Sequence, residues 1–147
     1  MSVNHVIQPG IQLVGIPMPP SQNKQLMVCR GRMIKTKDAR QFDNAFDVYA
    51  LIRKRGLEAS VNRINEWLTV DGFNSLRVDL EFFFPREKLW TKKNTIKRLD
   101  TGNRMKAVLD KLSMALGVDD SLFIESYIKK TVGDKESVVA SIFPMNF

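Results

Sequence analysis

The order of elements in the sequence predicts a mixed α/β (α+β) fold, in which helices pack against a mixed sheet. Two segments support this prediction most clearly. Between Asn74 and Pro85 apolar and polar residues alternate, which is the pattern of a strand with one buried face. Between Asp100 and Gly117 apolar residues recur every three or four positions, which is the pattern of a helix with one buried face. Strands before and after these segments complete one layer of sheet with helices against it.

The size and composition of the chain are those of a globular domain. It has 147 residues, of which 44% are hydrophobic and 27% are charged, and this is enough for one sizeable core. We predict a single domain over residues 11–147, preceded by a flexible leader over residues 1–10. No apolar run approaches the roughly 20 residues that span a bilayer, and the N-terminus lacks a signal pattern. We therefore expect a cytoplasmic protein without a membrane partner.

The charge balance favours a polyanionic partner. The chain has 23 Lys and Arg against 16 Asp and Glu, giving a formal net charge of +7, which suits nucleic-acid binding. An excess of this size is equally common on surfaces without such a partner. Cys29 is the only cysteine and His5 the only histidine, so neither a Cys/His zinc site nor a disulfide framework is available.

The remaining elements follow from the same periodicities and from turn-forming residues. In chain order we predict a strand over 11–16, strands over 26–29 and 33–35 around a turn at Gly31, a helix from Thr36 or Asp38 to a stop at Gly56, a helical segment over 60–68, and strands over 121–132 and 137–143 that pair as a hairpin.

The helix between Asp100 and Gly117 carries a second pattern on its polar side. Asn103, Lys106 and Asp110 fall in one narrow sector, roughly opposite the apolar residues. Taken singly, each has a simpler explanation, because Asp100 is more often a helix cap and a lone Lys or Asp on such a face is usually just solvated. An active site is indicated by their combination with the acidic pair that follows the helix.

This combination resembles the RusA family of Holliday junction resolvases. The family signature is an Asp-x-Asp-Asn-x-x-Lys run that opens a helix, a later Asp on the helix and an Asp-Asp pair after it. One position departs from the signature, because Gly102 stands where the family usually has its second Asp. The proline-rich segment before Ser21 resembles the family's Pro-Pro-Ser-x-Asn entry, and Lys130 matches a recurrent lysine. The residues that match the signature are Asp100, Asn103, Lys106, Asp110, Asp119 and Asp120.

The resemblance implies hydrolysis of phosphodiester bonds in Holliday junctions or other branched DNA, with Mg²⁺ as cofactor and Mn²⁺ as the alternative. It also implies a homodimer, because a four-way junction is cut at two symmetry-related strands, and a bacterial or phage source. The implied site has Asp100, Asp119 and Asp120 as metal ligands, Asp100, Lys106 and Asp120 as catalytic residues, and Asn103, Asp110 and Glu81 in support.

Basic and polar loops are the expected DNA contacts, since such loops can follow phosphates while Trp90 stacks on an exposed base. Ordinary solvated turns and a packed tryptophan explain the same residues about equally well. The candidates are Ser21, Asn23 and Lys24 in the proline-rich loop, Arg30 and Arg32 at the Gly31 turn, Lys92 and Lys93 beside Trp90, and Lys130.

Three functions remain open from the sequence. The leading one is an active Mg²⁺-dependent, structure-selective endonuclease. The second is a module that binds branched DNA without cutting it, which Gly102 favours because a metal ligand is missing there. The third is a basic structural or regulatory subunit, which would show no preference for junctions over duplex DNA.

Overall fold

The computed structural model describes residues 10–21, 26–99 and 101–147. The predicted leader, except for Gly10, lies outside these residues, and so do Asn23, Lys24 and Asp100. The elements are strands β1 (Ile11–Ile16), β2 (Leu26–Cys29) and β3 (Arg32–Lys35), helices α1 (Lys37–Ile52) and α2 (Lys54–Thr69), strand β4 (Ser75–Phe84), helices α3 (Arg86–Leu89) and α4 (Gly102–Leu116), and strands β5 (Phe123–Val132) and β6 (Ser137–Met145).

Four strands form a mixed sheet in the order β1-β6-β4-β5, which confirms the predicted fold class. β4 runs antiparallel to β6 and parallel to β5, and β1 runs antiparallel to β6. β2 and β3 form a separate hairpin. Arg30 and Gly31 at its turn both have positive φ, as a tight two-residue hairpin turn requires.

The predicted alternation along β4 is confirmed. Five apolar side chains on one face, from Leu76 to Phe84, are almost completely buried, whereas Arg77, Asp79 and Glu81 point to the other face and are half-buried. The helices add Phe46, Trp67 and Leu112 to the same core. They therefore pack on one face of the sheet, and the other face carries polar side chains.

The prediction that the last two strands pair as a hairpin is wrong. β5 and β6 lie on either side of β4, and the turn between them crosses the end of β4, where the Gly133 N–H donates to the Phe84 carbonyl at 2.9 Å. A period of two tells which face of a strand is buried but not which strand it pairs with. Because β4 is buried along its length, both of its edges need hydrogen-bond partners, and two strands supply them.

The predicted helix stop at Gly56 is also wrong. The break between α1 and α2 lies at Arg53 (φ −100°, ψ 22°), and Gly56 lies inside α2, which begins six residues earlier than predicted. The side chain of Leu57, which follows Gly56 in the first turn of α2, is buried, so packing of this first turn outweighs the weak helix propensity of glycine. None of the described helices is long and apolar enough to cross a membrane.

The ends of α4 differ in how they are capped. Gly117 ends the helix in the left-handed conformation (φ 65°), as predicted, and its N–H returns to the last turn. Thr101 occupies the N-cap position, but its side chain makes no capping hydrogen bond. The Thr36 hydroxyl, by contrast, caps α1 by accepting from the Ala39 N–H at 3.2 Å.

Candidate functional site

A cavity of about 960 Å³ lies along the polar side of α4. Its walls are the first turns of α1, the base of the β2–β3 hairpin, Pro20, and the loop that follows α4. The cavity brings together five of the residues that the sequence predicted for the site, namely Asn103, Lys106, Asp110, Asp119 and Asp120.

Burial of the apolar side of α4 explains why its polar residues face this cavity. Val108 and Leu112 are completely buried and Leu116 nearly so, which fixes the rotation of the helix about its axis. Side chains at intervals of three and four residues share a face. Asn103, Lys106 and Asp110 follow this spacing and are directed away from the core, so the amphipathic pattern itself orients them.

The acidic pair after α4 is held by a short 3₁₀ turn over Asp120–Leu122. The Asp119 carboxylate caps this turn by accepting from the Ser121 N–H at 2.9 Å. Hydrogen bonding from Ser121, first through its backbone N–H, lowers the pKa of Asp119 below its usual value. Asp119 and Asp120 are both exposed to solvent, so Asp119 presents an ionised carboxylate to the cavity at neutral pH.

The candidate residues do not converge on one point within a single chain. Asn103 lies in the first turn of α4, whereas the acidic pair follows its last turn, and a helix of this length separates its ends by roughly 20 Å. Among residues 10–21, 26–99 and 101–147, no three Asp, Glu, His or Cys side chains are close enough to hold a metal ion together. Asp100, the third predicted ligand, is outside those ranges.

A network of ion pairs that the sequence analysis missed forms one wall of the cavity. The Asp43 carboxylate on α1 lies 2.6 Å from the Lys35 ammonium at the end of β3 and 3.6 Å from the Lys111 ammonium on α4. Lys111 also lies 3.5 Å from Asp47. The network joins α4 to β3 and α1, which lie 50 or more residues earlier in the chain, so no local spacing could have revealed the part that involves Lys111.

The proline-rich loop lies against α4. Arg104 Nη1 donates to the Pro19 carbonyl at 3.2 Å, and the Arg104 guanidinium lies 5.3 Å from the centre of the Phe84 ring. Pro20 lines the cavity, and Ser21 is half-buried. The predicted contacts Asn23 and Lys24 are outside the described part of the chain.

Five of the eight predicted DNA contacts, Lys130 among them, lie at exposed positions that do not line the cavity. Arg30 and Arg32 flank the tip of the β2–β3 hairpin and are exposed, as are Lys92 and Lys93 after α3. Trp90 is half-buried and packs against the core, with the Arg86 guanidinium 5.7 Å from its ring. This packing favours a structural role for Trp90 over base stacking.

Lys130 and Glu81 lie on opposite faces of the sheet. Lys130 is paired with Phe82 in the register, on the face that the helices cover, and its ammonium donates to the Leu99 carbonyl at 3.0 Å, just before α4. Glu81 lies on the other face, where its carboxylate accepts from the Thr131 hydroxyl at 2.6 Å and lies 3.5 Å from the Lys129 ammonium. The structure therefore does not bring Glu81 to the cavity.

Comparison with known proteins gives one family. The family described as Endodeoxyribonuclease RusA matches residues 17–142, a span that includes every residue named in the cavity. No curated protein sequence matches the chain. Among solved structures, IspF from Plasmodium falciparum in a CDP complex matches with 11% sequence identity, over 94% of this chain and 96% of that chain, at a TM-score of 0.34. A similarity this low establishes neither a shared fold nor a shared function.

Proposed function

Because the chain belongs to the RusA endodeoxyribonuclease family, we propose that it cleaves Holliday junctions or other branched DNA as a Mg²⁺-dependent, structure-selective endonuclease. The observation that best supports this proposal is the cavity along α4, which gathers an amide, an ammonium and three carboxylates from the matched segment. These are the groups that phosphodiester hydrolysis needs: oxygen ligands for a hard cation and a positive charge for the phosphate.

Each cavity residue has a role that suits its chemistry. The Lys106 ammonium, on the exposed side of α4, would donate to a non-bridging oxygen of the scissile phosphate and stabilise the charge that grows there. The Asn103 amide would orient the phosphate or the attacking water. The Asp110 carboxylate, one turn beyond Lys106, would hold the ammonium in position, since side chains four residues apart on a helix are neighbours.

The acidic pair fits Mg²⁺ by the chemistry of its donors. Asp119 and Asp120 offer only oxygen ligands, which Mg²⁺ prefers, and Mn²⁺ accepts the same ligands. We assign Asp120 and Asp119 to metal binding together with Asp100 of the second copy in the homodimer, because α4 lies between Asp100 and the acidic pair in the sequence and spans roughly 20 Å. When bound, the ion would polarise the phosphoryl group and make a bound water more acidic.

The proposed substrate also suggests an oligomeric state, a set of DNA contacts and a compartment. A four-way junction has two symmetry-related strands to cut, which favours a homodimer with two sites. The exposed arginines of the β2–β3 hairpin and the lysines after α3 would contact backbone phosphates and contribute salt-dependent affinity. A protein with this function would act in the bacterial cytoplasm, whether it is encoded by the bacterium or by a phage.

A second function is favoured by Gly102. With glycine at the first residue of α4, the carboxylate that the family usually has at this position is absent. A protein of this kind would bind branched DNA without cutting it.

The test is cleavage of a labelled synthetic four-way junction, with and without Mg²⁺, beside a linear duplex of the same sequence. Binding is measured separately in Ca²⁺. Asp120→Asn removes a proposed ligand, and Asp134→Asn is the matched control, because Asp134 lies in the exposed turn between β5 and β6. Gly102→Asp restores the carboxylate that the family usually has.

The endonuclease proposal predicts paired nicks in the junction that require Mg²⁺, disappear in Asp120→Asn and persist in Asp134→Asn. Tight junction binding without nicks, with cleavage gained in Gly102→Asp, would instead identify the non-cutting module. Equal affinity for junction and duplex together with no cleavage would overturn both and leave a basic structural or regulatory subunit.

A further inference from the structure

β5 is an edge strand whose outer side carries no partner strand among the described residues. It is ten residues long and hydrogen-bonds only to β4 within that part of the chain. Large apolar side chains along it are exposed, including Tyr127, of which 52% is accessible, Ile128 and Val132. A long, exposed and apolar edge is a template for pairing with another strand.

The charges on β5 show which strand would fit. Glu125 and Lys129 are placed symmetrically about Tyr127, and both point to the same face of the sheet, where they are aligned with Arg77 and Glu81 of β4. In an antiparallel pair of two β5 strands centred on Tyr127, Glu125 of each copy lies opposite Lys129 of the other. The strand is therefore complementary to itself in charge, as a two-fold interface requires.

Other registers lose this match. Centring the pair on Ser126 or Ile128 leaves both charges opposite uncharged residues, and centring it on Lys129 places the two ammonium groups against each other. A parallel pair in register would also align like charges, which are destabilising when directly opposite. Lysine on an edge strand normally discourages pairing. Here Lys129 can pair with Glu125 of a second copy, so it favours one partner and one register over the others.

We propose that two copies of this chain associate through antiparallel pairing of their β5 strands, with the two-fold axis at Tyr127. This inference deepens the proposed function by identifying the surface through which the homodimer forms. The pairing extends each four-stranded sheet into one of eight strands.

The pairing also bears on the separation between the two ends of α4. In this register Phe123 of one copy lies opposite Thr131 of the other. Phe123 follows the acidic pair closely in sequence, and Lys130 contacts the Leu99 carbonyl just before α4. Strand pairing would thus bring the acidic pair of one copy toward the beginning of α4 in the other.

Disulfide trapping tests the register in the full chain. Opposed residues in an antiparallel pair have Cα atoms about 4.5–5.5 Å apart, within the range that a disulfide spans. In a Cys29→Ser background, we expect Tyr127→Cys to form disulfide dimers under mild oxidation at low protein concentration. Gln12→Cys is the control, because Gln12 is exposed on β1 at the opposite edge of the sheet, and it should remain monomeric.

Charge reversal tests the complementarity by sedimentation equilibrium. Lys129→Glu creates two like-charged pairs at once, so we expect association to weaken by roughly tenfold or more. Glu125→Lys combined with Lys129→Glu restores both opposite-charge pairs between the copies, so association should recover, although within each chain residues 125 and 129 then lie opposite the like charges of Arg77 and Glu81. An effect that came only from the contact of residue 129 with Glu81 would persist in the double variant.

Absence of the Tyr127→Cys dimer, or trapping of Gln12→Cys with equal efficiency, would overturn the proposal, as would failure of the double reversal to restore association. None of these measurements needs DNA or cleavage. A chain that fails to cut junctions can still form the β5 dimer, and an active nuclease can still fail this test, so the two proposals are refuted independently.

Discussion

Two buried serines on helices offer a matched test of how polar burial affects this fold. Ser113 on α4 is 8% exposed and Ser60 on α2 is 7% exposed. The Ser60 hydroxyl donates to the Gly56 carbonyl at 2.9 Å, whereas the Ser113 hydroxyl has no hydrogen-bond partner in the described part of the protein. Replacing each by alanine therefore changes the same group in two different hydrogen-bonding states.

We expect Ser113→Ala to raise the free energy of unfolding by about 1–2 kcal/mol. Removing an unsatisfied buried hydroxyl relieves about 1 kcal/mol of desolvation cost, and alanine in a helix interior adds about 0.5 kcal/mol over serine. For Ser60→Ala the same gain in helix propensity is offset by the loss of a made hydrogen bond, about 1 kcal/mol. The control variant should therefore be neutral or slightly destabilised.

Urea unfolding followed by far-UV circular dichroism measures both variants, and thermal scans should show Tm rising by roughly 5 °C for Ser113→Ala. The comparison requires that the slope of the unfolding free energy with urea be unchanged. If Ser113→Ala lost 1 kcal/mol or more, the hydroxyl would have to be satisfied by water in the cavity along α4, and the premise of an unpaired group would be wrong.

Three further variants test separate parts of the structure. Gly117→Ala should cost about 1 kcal/mol in urea unfolding, since it places a side chain on the left-handed residue that ends α4. Asp119→Asn should be less stable than wild type at neutral pH and equal to it at acid pH below the folded-state pKa of Asp119. Ser121 lowers the folded-state pKa of Asp119, so the charge stabilises the fold above the unfolded-state pKa and this contribution is lost as pH falls through the folded-state pKa. Asp43→Asn should cost about 1 kcal/mol by removing a carboxylate beside the largely buried Lys111, and a double-mutant cycle with Lys111→Met that gave no coupling would contradict this.

The elements that were predicted best from the sequence are those in which buried residues recur at a regular interval. The alternation along β4 and the apolar stripe of α4 are properties of neighbouring residues, so they identified both the strand and the helix that carries Asn103, Lys106 and Asp110. The end of that helix at Gly117 was also predicted correctly, because a helix end at a left-handed glycine depends only on the local backbone conformation. Three residues of the cavity were found in this way, and Asp119 and Asp120 were found through the resemblance to the family signature.

The errors concern relations between distant segments. The partner of β5 depends on which strand offers a buried edge, and no local period contains that information. Likewise, Gly56 suggested a helix end on propensity alone, but burial of Leu57 in the first turn of α2 favours a helix that begins before the glycine. The pairs of Asp43 with Lys35 and Lys111 form only when α1, β3 and α4 meet, so they too needed the tertiary structure.

The length of α4 determines what the glycine at position 102 means for catalysis. Gly102 begins the helix, and Asp119 and Asp120 follow its other end, roughly 20 Å away by the helical rise. Within one chain, a carboxylate at position 102 could not share a metal ion with that pair. Its loss would then matter only where a second copy brings the two ends together, as antiparallel pairing of β5 would do. A gain of cleavage in Gly102→Asp should accordingly be lost again when Lys129→Glu dissociates the dimer.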